Sequence, residues 1–387
     1  MRILMIQRFD LSSVSCARRV ICQAEELLRR GREVYLADFV HNQRHESIPA
    51  FVNLSQMGVK MLHLDRKVQR YPYNIKRLLQ IDPKPDIIHL WKSYPDASLP
   101  ALALSKLGKI PLHYDWDDWE TGIAAELTGS NTAGWIAGKW DRLLPRLCHS
   151  MTTASEFLNQ KAIEWGADSQ KIWDAPVGAD LERFYPRPCD DALLKQLKLT
   201  KPLLVYSGQL EVASYAEQAV ETLKLVIDKG IKANLLVLGG GRKLEAIRQR
   251  ADDIGVARHV LFTDYVPADE IPKYLSMADI ALAPFEENDV TRAKSPLKIA
   301  EYMAMGLPIV ASDVGDVRRM ASEAGAIVPC CDIQAMADKV VWMLNNQDIR
   351  QDMSSAGQKQ AQEIFNWKSH VDSLETAYAA AIDMYKP

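Results

Sequence analysis

The sequence predicts two consecutive doubly wound α/β domains, and three observations carry that reading. The chain has 387 residues, too many for one ordinary core. Apolar strand-like runs alternate with helix-like segments along its length. The alternation breaks once, around FYPRPCDD, where two prolines and several charges replace the apolar stripe and mark a linker. Repeated strand–helix–strand units imply parallel sheets.

The elements follow in order. MRILMI is the first strand, and a helix runs from Ser15 to Arg30 with Val20, Ile21, Ala24, Leu27 and Leu28 on one face. Gly31 stops that helix and EVYLADF is the next strand. DIIHLW, IPLHYDW, MTTAS and KIWDAPV are further strands, with DASLPALALSKLG and EFLNQKAIEWG as helices between them. Beyond the linker come the strands PLLVYSG, ANLLVLGGG, HVLFTDYV, IALAPF, PIVAS and AIVPC. YAEQAVETLKLVIDKG, RKLEAIRQRADDIG, IPKYLSMA and PLKIAEYMAMG are the intervening helices, and the end of the chain is helical. The expected domains are 1–185 and 186–365, with a last helix over 366–387. Ligands of such sheets bind beyond the carboxyl ends of the strands, so the cleft between two such domains is the default site.

Composition excludes several classes. Net charge is −3, which argues against a nucleic-acid partner. The N-terminal apolar run is too short for a signal peptide or a span, and no window offers the ~18 apolar residues a spanning helix needs. Six cysteines form no CxxC pair and no zinc spacing, which fits free thiols in a reducing, cytoplasmic setting.

The informative stretch is IALAPFEENDVTRAKSPLKIAEYMAMGLPIVASDVG. Ser295 reads as an N-cap, Pro296 as the first helical residue and Gly306 as the stop. Lys298 then falls in the first turn, where a cation opposes the helix dipole by ~0.3–1 kcal/mol. The position makes sense if an anion sits on the free backbone N–H groups there. Glu301 lies one turn further on, placed to accept hydroxyl hydrogen bonds from a ribose. Together they outline a nucleoside diphosphate site; a plain surface ion pair is the competing reading.

SPLKIAEYMAMGLPIVAS resembles the donor-binding signature of retaining GT-B glycosyltransferases, glycosyltransferase family 4. PVGADLERFYP, YSGQL, LVLGGG, HVLFTDYVP and a late FNW match in order around it. The resemblance implies two Rossmann-like domains facing each other across a cleft, a C-terminal helix returning to the first domain, and a nucleotide-sugar donor. It implies that Glu301 binds the donor ribose, that Ser295, Pro296 and Leu297 meet the diphosphate, that Tyr265 and Val266 flank the base, and that Gly208 lets the strand end approach the phosphate or sugar.

Three departures stand out. The family often has an acid eight residues before Glu301, where this chain has Ala293. Gln209 follows Gly208 where an Arg is usual, which makes Lys298 and Arg292 the candidates for the missing positive charge. HYDWDDWE stands where a His is often found.

Asp115, Asp117 and Asp118 of that segment are read mainly as hydroxyl acceptors or a base at the acceptor or donor sugar, with Asp115 and Asp117 the catalytic candidates alongside Lys298. A divalent-metal site and a solvated loop are the competing readings; no metal and no cofactor is expected, because a helix N-terminus already serves the diphosphate. Gly239 to Gly241 lack dinucleotide spacing and read as a tight turn that leaves room for substrate. Ser12 and Ser13 read as acceptor-side residues or helix caps. His89 reads as an acceptor-side residue or a buried, hydrogen-bonded core residue.

Two segments mix basic and aromatic residues, DRKVQRYPYNIKRLLQ and GWIAGKWDRLLPRL. They admit peripheral association with the inner membrane face, which suits a lipid-linked acceptor, or solvated helices with inward tryptophans. The expected activity is metal-independent, retaining transfer of a hexosyl group to a glycan, glycolipid or small-molecule acceptor. A nucleotide-sugar epimerase of the same fold and a non-catalytic nucleotide-binding subunit are the alternatives.

Overall fold

The computed structural model describes residues 1–8, 14–39, 49–128, 130–211, 213 and 215–385. The chain divides into two units: Met1–Pro176 with Trp367–Pro387, and Val177–Asn366. The first closes before the linker position read from the sequence, because Phe184 is buried in the second unit's core.

The first unit holds β1 (Arg2–Ile6), β2 (Glu33–Phe39), β3 (Lys60–Leu64), β4 (Ile87–Trp91), β5 (Leu112–Trp116), β6 (Ser150–Thr153) and β7 (Ile172–Asp174). They form one parallel sheet in the order β3-β2-β1-β4-β5-β6-β7. The central β1 pairs Leu4 with Tyr35 on one side and with Ile88 on the other. Ile3, Leu4, Met5 and Ile6 are fully buried. A sheet covered on both faces needs such a continuous apolar run rather than an alternation. Strand order reverses between β1 and β4, which puts the expected crevice at the ends of those strands.

The Trp367–Met384 helix belongs to this unit. Its Val371, Leu374, Tyr378 and Ala381 join Ile3, Met5, Leu36 and Trp91 in one apolar cluster. Arg30 fixes it from the surface, 2.7 Å from Asp372 and 2.9 Å from Glu375. The edge strand β3 has no counterpart in the sequence reading. Its KMLHL is mostly half-buried, so the buried-strand signature is weak there.

The second unit holds β8 (Leu203–Ser207), β9 (Asn234–Leu238), β10 (Val260–Phe262), β11 (Ile280–Ala283), β12 (Ile309–Ser312) and β13 (Gly325–Val328). They form a parallel sheet in the order β10-β9-β8-β11-β12-β13, with the reversal between β8 and β11. The Leu297–Ala304 helix packs its Ile299, Ala300, Tyr302 and Met303 into the core. It ends at Gly306, whose φ of 71° lets the Gly306 and Leu307 amides return to the Met303 and Tyr302 carbonyls. Among the described residues no helix is long and apolar enough to cross a membrane.

Candidate functional site

In the second unit the reversal point collects the residues that carry chemistry. Ser207 ends β8, and its amide donates to the Tyr302 hydroxyl at 2.7 Å, tying the strand end to the Leu297–Ala304 helix. One turn earlier on that helix, Lys298 points its ammonium over the Tyr206 ring, 4.0 Å from the centroid. Phe285 at 5.6 Å and Tyr215 at 5.9 Å complete an aromatic surround. Such contacts are worth ~0.5–2 kcal/mol each, more when desolvated.

Among the described residues Lys298 makes no ion pair. Burial, with Lys294 adding repulsion, lowers its pKa to about 7 against a partial offset from Glu301. A desolvated ammonium under aromatic rings, offset only in part by Glu301, is an incomplete electrostatic arrangement that an anion would complete.

Gly208 is required by this geometry. A Cβ there would lie 2.8 Å from Lys298 Nζ and 3.1 Å from Tyr206 Oη. The glycine run after β9 serves a different end from the one expected. A Cβ on Gly239 would lie 2.1 Å from the Gly208 carbonyl oxygen, and one on Gly240 would lie 2.0 Å from Asp264 Oδ1 and 2.9 Å from the Tyr265 ring. The space there is filled by protein, and the turn lets the ends of β8, β9 and β10 approach closely.

Several expected site residues fall differently. Ser295 is not the N-cap: Pro296 occupies that position, and the buried Ser295 hydroxyl accepts from the Val177 amide at 3.1 Å. Leu297 is the first residue of the helix. Arg292 is exposed and paired with Glu287 at 2.6 Å and Asp289 at 3.4 Å, so its charge is already matched. Tyr265 is 67% exposed beside Gly240, whereas Val266 packs against the core. Gln209 is exposed and Glu301 half-buried, both with polar partners.

The first unit holds two polar clusters. In one, Asp115 at the end of β5 is fully buried and both its oxygens are used. Oδ2 accepts from Arg19 Nε at 2.7 Å and Gln23 Nε2 at 2.8 Å; Oδ1 accepts from Arg19 Nη2 and Thr152 Oγ1, each at 2.7 Å. Burial alone would raise this carboxyl, but the Arg19 guanidinium outweighs it and holds it well below the usual range. Asp115, expected as catalytic, therefore has no lone pair left for a substrate.

His89, expected on the acceptor side, is fully buried in the same cluster. Its Nδ1 is hydrogen-bonded to the Tyr378 hydroxyl at 2.7 Å, and burial lowers its pKa to about 4. It is a core histidine. Ser12 and Ser13 lie outside the described residues.

The second cluster is half-open. Lys92 follows β4 with a φ of 68° and turns its ammonium into three carboxylates: Asp118 at 2.6 Å, Glu120 at 2.7 Å and Asp117 at 3.2 Å. Burial and the neighbouring Asp118 push the Asp117 carboxyl up to about 7, against the pull of Lys92. Behind it, buried Asp141 accepts from the Ser93 hydroxyl at 2.5 Å and from the Thr121 amide at 3.0 Å.

Asp117, Asp118 and Glu120 are close enough to hold a metal ion together. Lys92 Nζ already sits among those oxygens, so a cation there would have to displace a buried ammonium. The sequence reading singled out the acids and missed Lys92. The available signal was its place, the first cation after a buried strand at a reversal point.

Residues 193–360 match the family model described as Glycosyl transferases group 1. A GDP-mannose-dependent alpha-(1-6)-phosphatidylinositol monomannoside mannosyltransferase of Mycobacterium tuberculosis is 30% identical over 198 residues, 50% of this chain and 51% of the relative. A D-inositol 3-phosphate glycosyltransferase of Xylanimonas cellulosilytica is 28% identical over 233 residues, 56% of this chain and 53% of the relative. The chain thus spans about half the length of these curated relatives. Among solved structures, Anabaena HepE in complex with UDP and glucose superposes with a TM-score of 0.76 at 16% identity, over 98% of this chain and 100% of that one. The fold, two parallel α/β units, is that of GT-B glycosyltransferases.

Proposed function

We propose, from a second unit that is a group 1 glycosyltransferase domain, that the protein transfers a sugar from a nucleotide diphosphate-sugar, with retention, to a glycan or lipid-linked acceptor. The observation that carries the reading is the desolvated Lys298 ammonium, without an ion-pair partner among the described residues, beside Gly208 and the opening turn of the Leu297–Ala304 helix. The donor diphosphate supplies the counter-charge and the free backbone N–H groups of that turn receive its oxygens. As the glycosidic bond breaks, negative charge grows on the leaving diphosphate, and Lys298 stabilises it there. Glu301, one turn deeper, takes the ribose hydroxyls, and the exposed Tyr265 ring offers a face to the base.

In the first unit Asp117 is the acceptor-side residue. Its raised pKa suits a group that exchanges a proton with a sugar hydroxyl near neutrality. Donor identity follows from a thermal-shift panel of UDP-, GDP-, ADP- and dTDP-sugars. GDP-mannose is the first choice because the Mycobacterium tuberculosis relative is GDP-mannose-dependent. At about 100 times its Kd the true donor stabilises the fold by ~2.7 kcal/mol. A panel with no shift for any nucleotide-sugar would reject the reading.

The reaction proceeds without a divalent cation, because Lys92 and Lys298 supply the positive charge at the two clusters. Excess EDTA is expected to leave the transfer rate unchanged. Loss of activity with EDTA, restored by Mn²⁺, would replace this account with a metal-assisted one.

A further inference from the structure

The half-open cluster of the first unit sets four carboxylates against one ammonium. Asp117 and Asp118 follow β5, Glu120 opens the Glu120–Thr128 helix, and Asp141 comes from the Asn131–Leu147 helix. Among the described residues Lys92 is the one cation ion-paired with Asp117, Asp118 and Glu120. Its side chain is 5% exposed, so salt screens these pairs weakly.

Lys92 reaches that place through an unusual backbone. Its φ of 68° is left-handed, a conformation that a lysine keeps only where its surroundings hold it. Asp141 does the holding. One of its oxygens accepts from the hydroxyl of Ser93, the residue after Lys92, at 2.5 Å. The other accepts from the Thr121 hydroxyl at 2.7 Å and the Thr121 amide at 3.0 Å, directly after Glu120. One buried carboxylate thus ties the turn that carries the ammonium to the helix that carries one of its partners. Gly138 permits the approach: a Cβ there would lie 3.0 Å from Thr121 Oγ1.

A lysine that only neutralised a core would sit among fully buried acids. Lys92 instead spans from inside to outside, since Glu120 is 1% exposed, Asp117 12% and Asp118 29%. The ammonium therefore backs the two acids that solvent reaches. The charges facing Asp117 are Lys92 after β4, Asp118 on its own loop, Asp115 in β5 and Arg19 from the Val14–Arg29 helix. Glu120 and Asp141 share the cluster from the two helices named above. Arg19 is bonded to both oxygens of Asp115, which leaves Lys92 as the cation that balances Asp117.

We infer that Lys92 is a positioning residue for transfer: its ammonium, aimed by the turn that Asp141 anchors, keeps Asp117 as the carboxylate that accepts a hydrogen bond from the acceptor hydroxyl. This rests on the reading of Asp117 as the acceptor-side residue and adds what sets its state. An opposite charge at 3.2 Å works against the burial that favours the protonated form. Without that charge the carboxyl keeps its proton to higher pH and meets the hydroxyl as a neutral acid.

The test begins with the full chain labelled with [¹³C]aspartate, in which the carboxyl signal lost in Asp117→Asn identifies Asp117. In Lys92→Gln that signal should titrate at least ~1 pH unit higher than in the wild type, because glutamine keeps hydrogen-bond donors for the carboxylates and removes the charge. Lys92→Arg keeps the charge and should bring the titration back towards the wild-type position. Lys92→Gln combined with Glu120→Gln removes one charge of each sign; it should shift the signal the same way and covers any instability of the single variant. Transfer is then followed with GDP-mannose and an octyl mannoside, chosen because the Mycobacterium tuberculosis relative is a GDP-mannose-dependent monomannoside mannosyltransferase. The acid limb of kcat/KM for the acceptor should move with the signal, so that Lys92→Gln is at least ~10-fold slower at pH ~6 and the gap closes as pH rises past the shifted limb. An Asp117 signal that titrates alike with and without the ammonium overturns the inference, as does an acid limb that stays in place while the signal moves. The carbon signal needs no acceptor, so its outcome stands apart from failure of the transferase reading, which a wild type inactive towards every glycoside would show.

Discussion

Lys298→Met is expected to lower kcat/KM for the donor at least ~10-fold, equivalent to about 1.4 kcal/mol of transition-state stabilisation, while leaving the fold intact. Methionine keeps the length and fits beneath Tyr206, Tyr215 and Phe285, so the variant loses charge and little packing. Near-wild-type donor kinetics would refute the assignment.

The same residue sets a pH signature. The folded pKa is lowered to about 7 from an ordinary 10.5. Between those values the unfolded chain binds more protons here than the folded one, so this lysine makes ligand-free stability rise with pH over that window. The charged and titratable groups around it are Lys294, Glu301, Tyr206 and Tyr215. A docked diphosphate reverses the balance and raises the lysine pKa, so donor binding above pH ~7 should take up a proton. Calorimetry in buffers of different ionisation enthalpy reads that proton directly. It should vanish in Lys298→Met, and equal uptake in both proteins would assign it to another group.

Lys298, the residue on which the proposed donor site rests, stands out in sequence because it breaks a local rule. A cation in the first turn of a helix is disfavoured unless something negative is coming, and that argument needs only neighbours within one turn. Ser295 shows the limit of such reasoning. A serine before a proline and a helix reads as a cap, yet its hydroxyl goes to Val177, 118 positions away. The aromatic surround of Lys298 was equally hidden, since Tyr206, Tyr215 and Phe285 come from three separate elements. Both sheets were largely legible because buried parallel strands are continuous apolar runs; β3 was not, because KMLHL opens on an exposed lysine, is mostly half-buried and is interrupted by His63.

The first-unit site was the least legible part, and one pair of substitutions exposes why. In HYDWDDWE, Asp115 and Asp117 are two residues apart and look interchangeable. Asp115 still belongs to β5 and faces the core, where Arg19, Gln23 and Thr152 surround it from other elements. Asp117 lies past the strand end beside Lys92. Asp115→Asn leaves the Arg19 guanidinium buried without a counter-charge, and should cost about 3–5 kcal/mol in chemical denaturation. Asp117→Asn removes a carboxylate that burial already disfavours, so it should change stability little and act on transfer instead.

The sign with pH distinguishes them further. Asp115 has a lowered pKa, so its stabilisation is fully present above the usual carboxylate pKa of about 3.9 and is lost as pH falls through the still lower folded value. The gap between wild type and Asp115→Asn should therefore stay constant from pH ~5 to ~8. Asp117 has a raised pKa, so whatever it contributes to stability fades as pH rises through about 7. A stable Asp115→Asn protein with impaired transfer would return Asp115 to the catalytic role that its place in the sequence suggests and its packing denies.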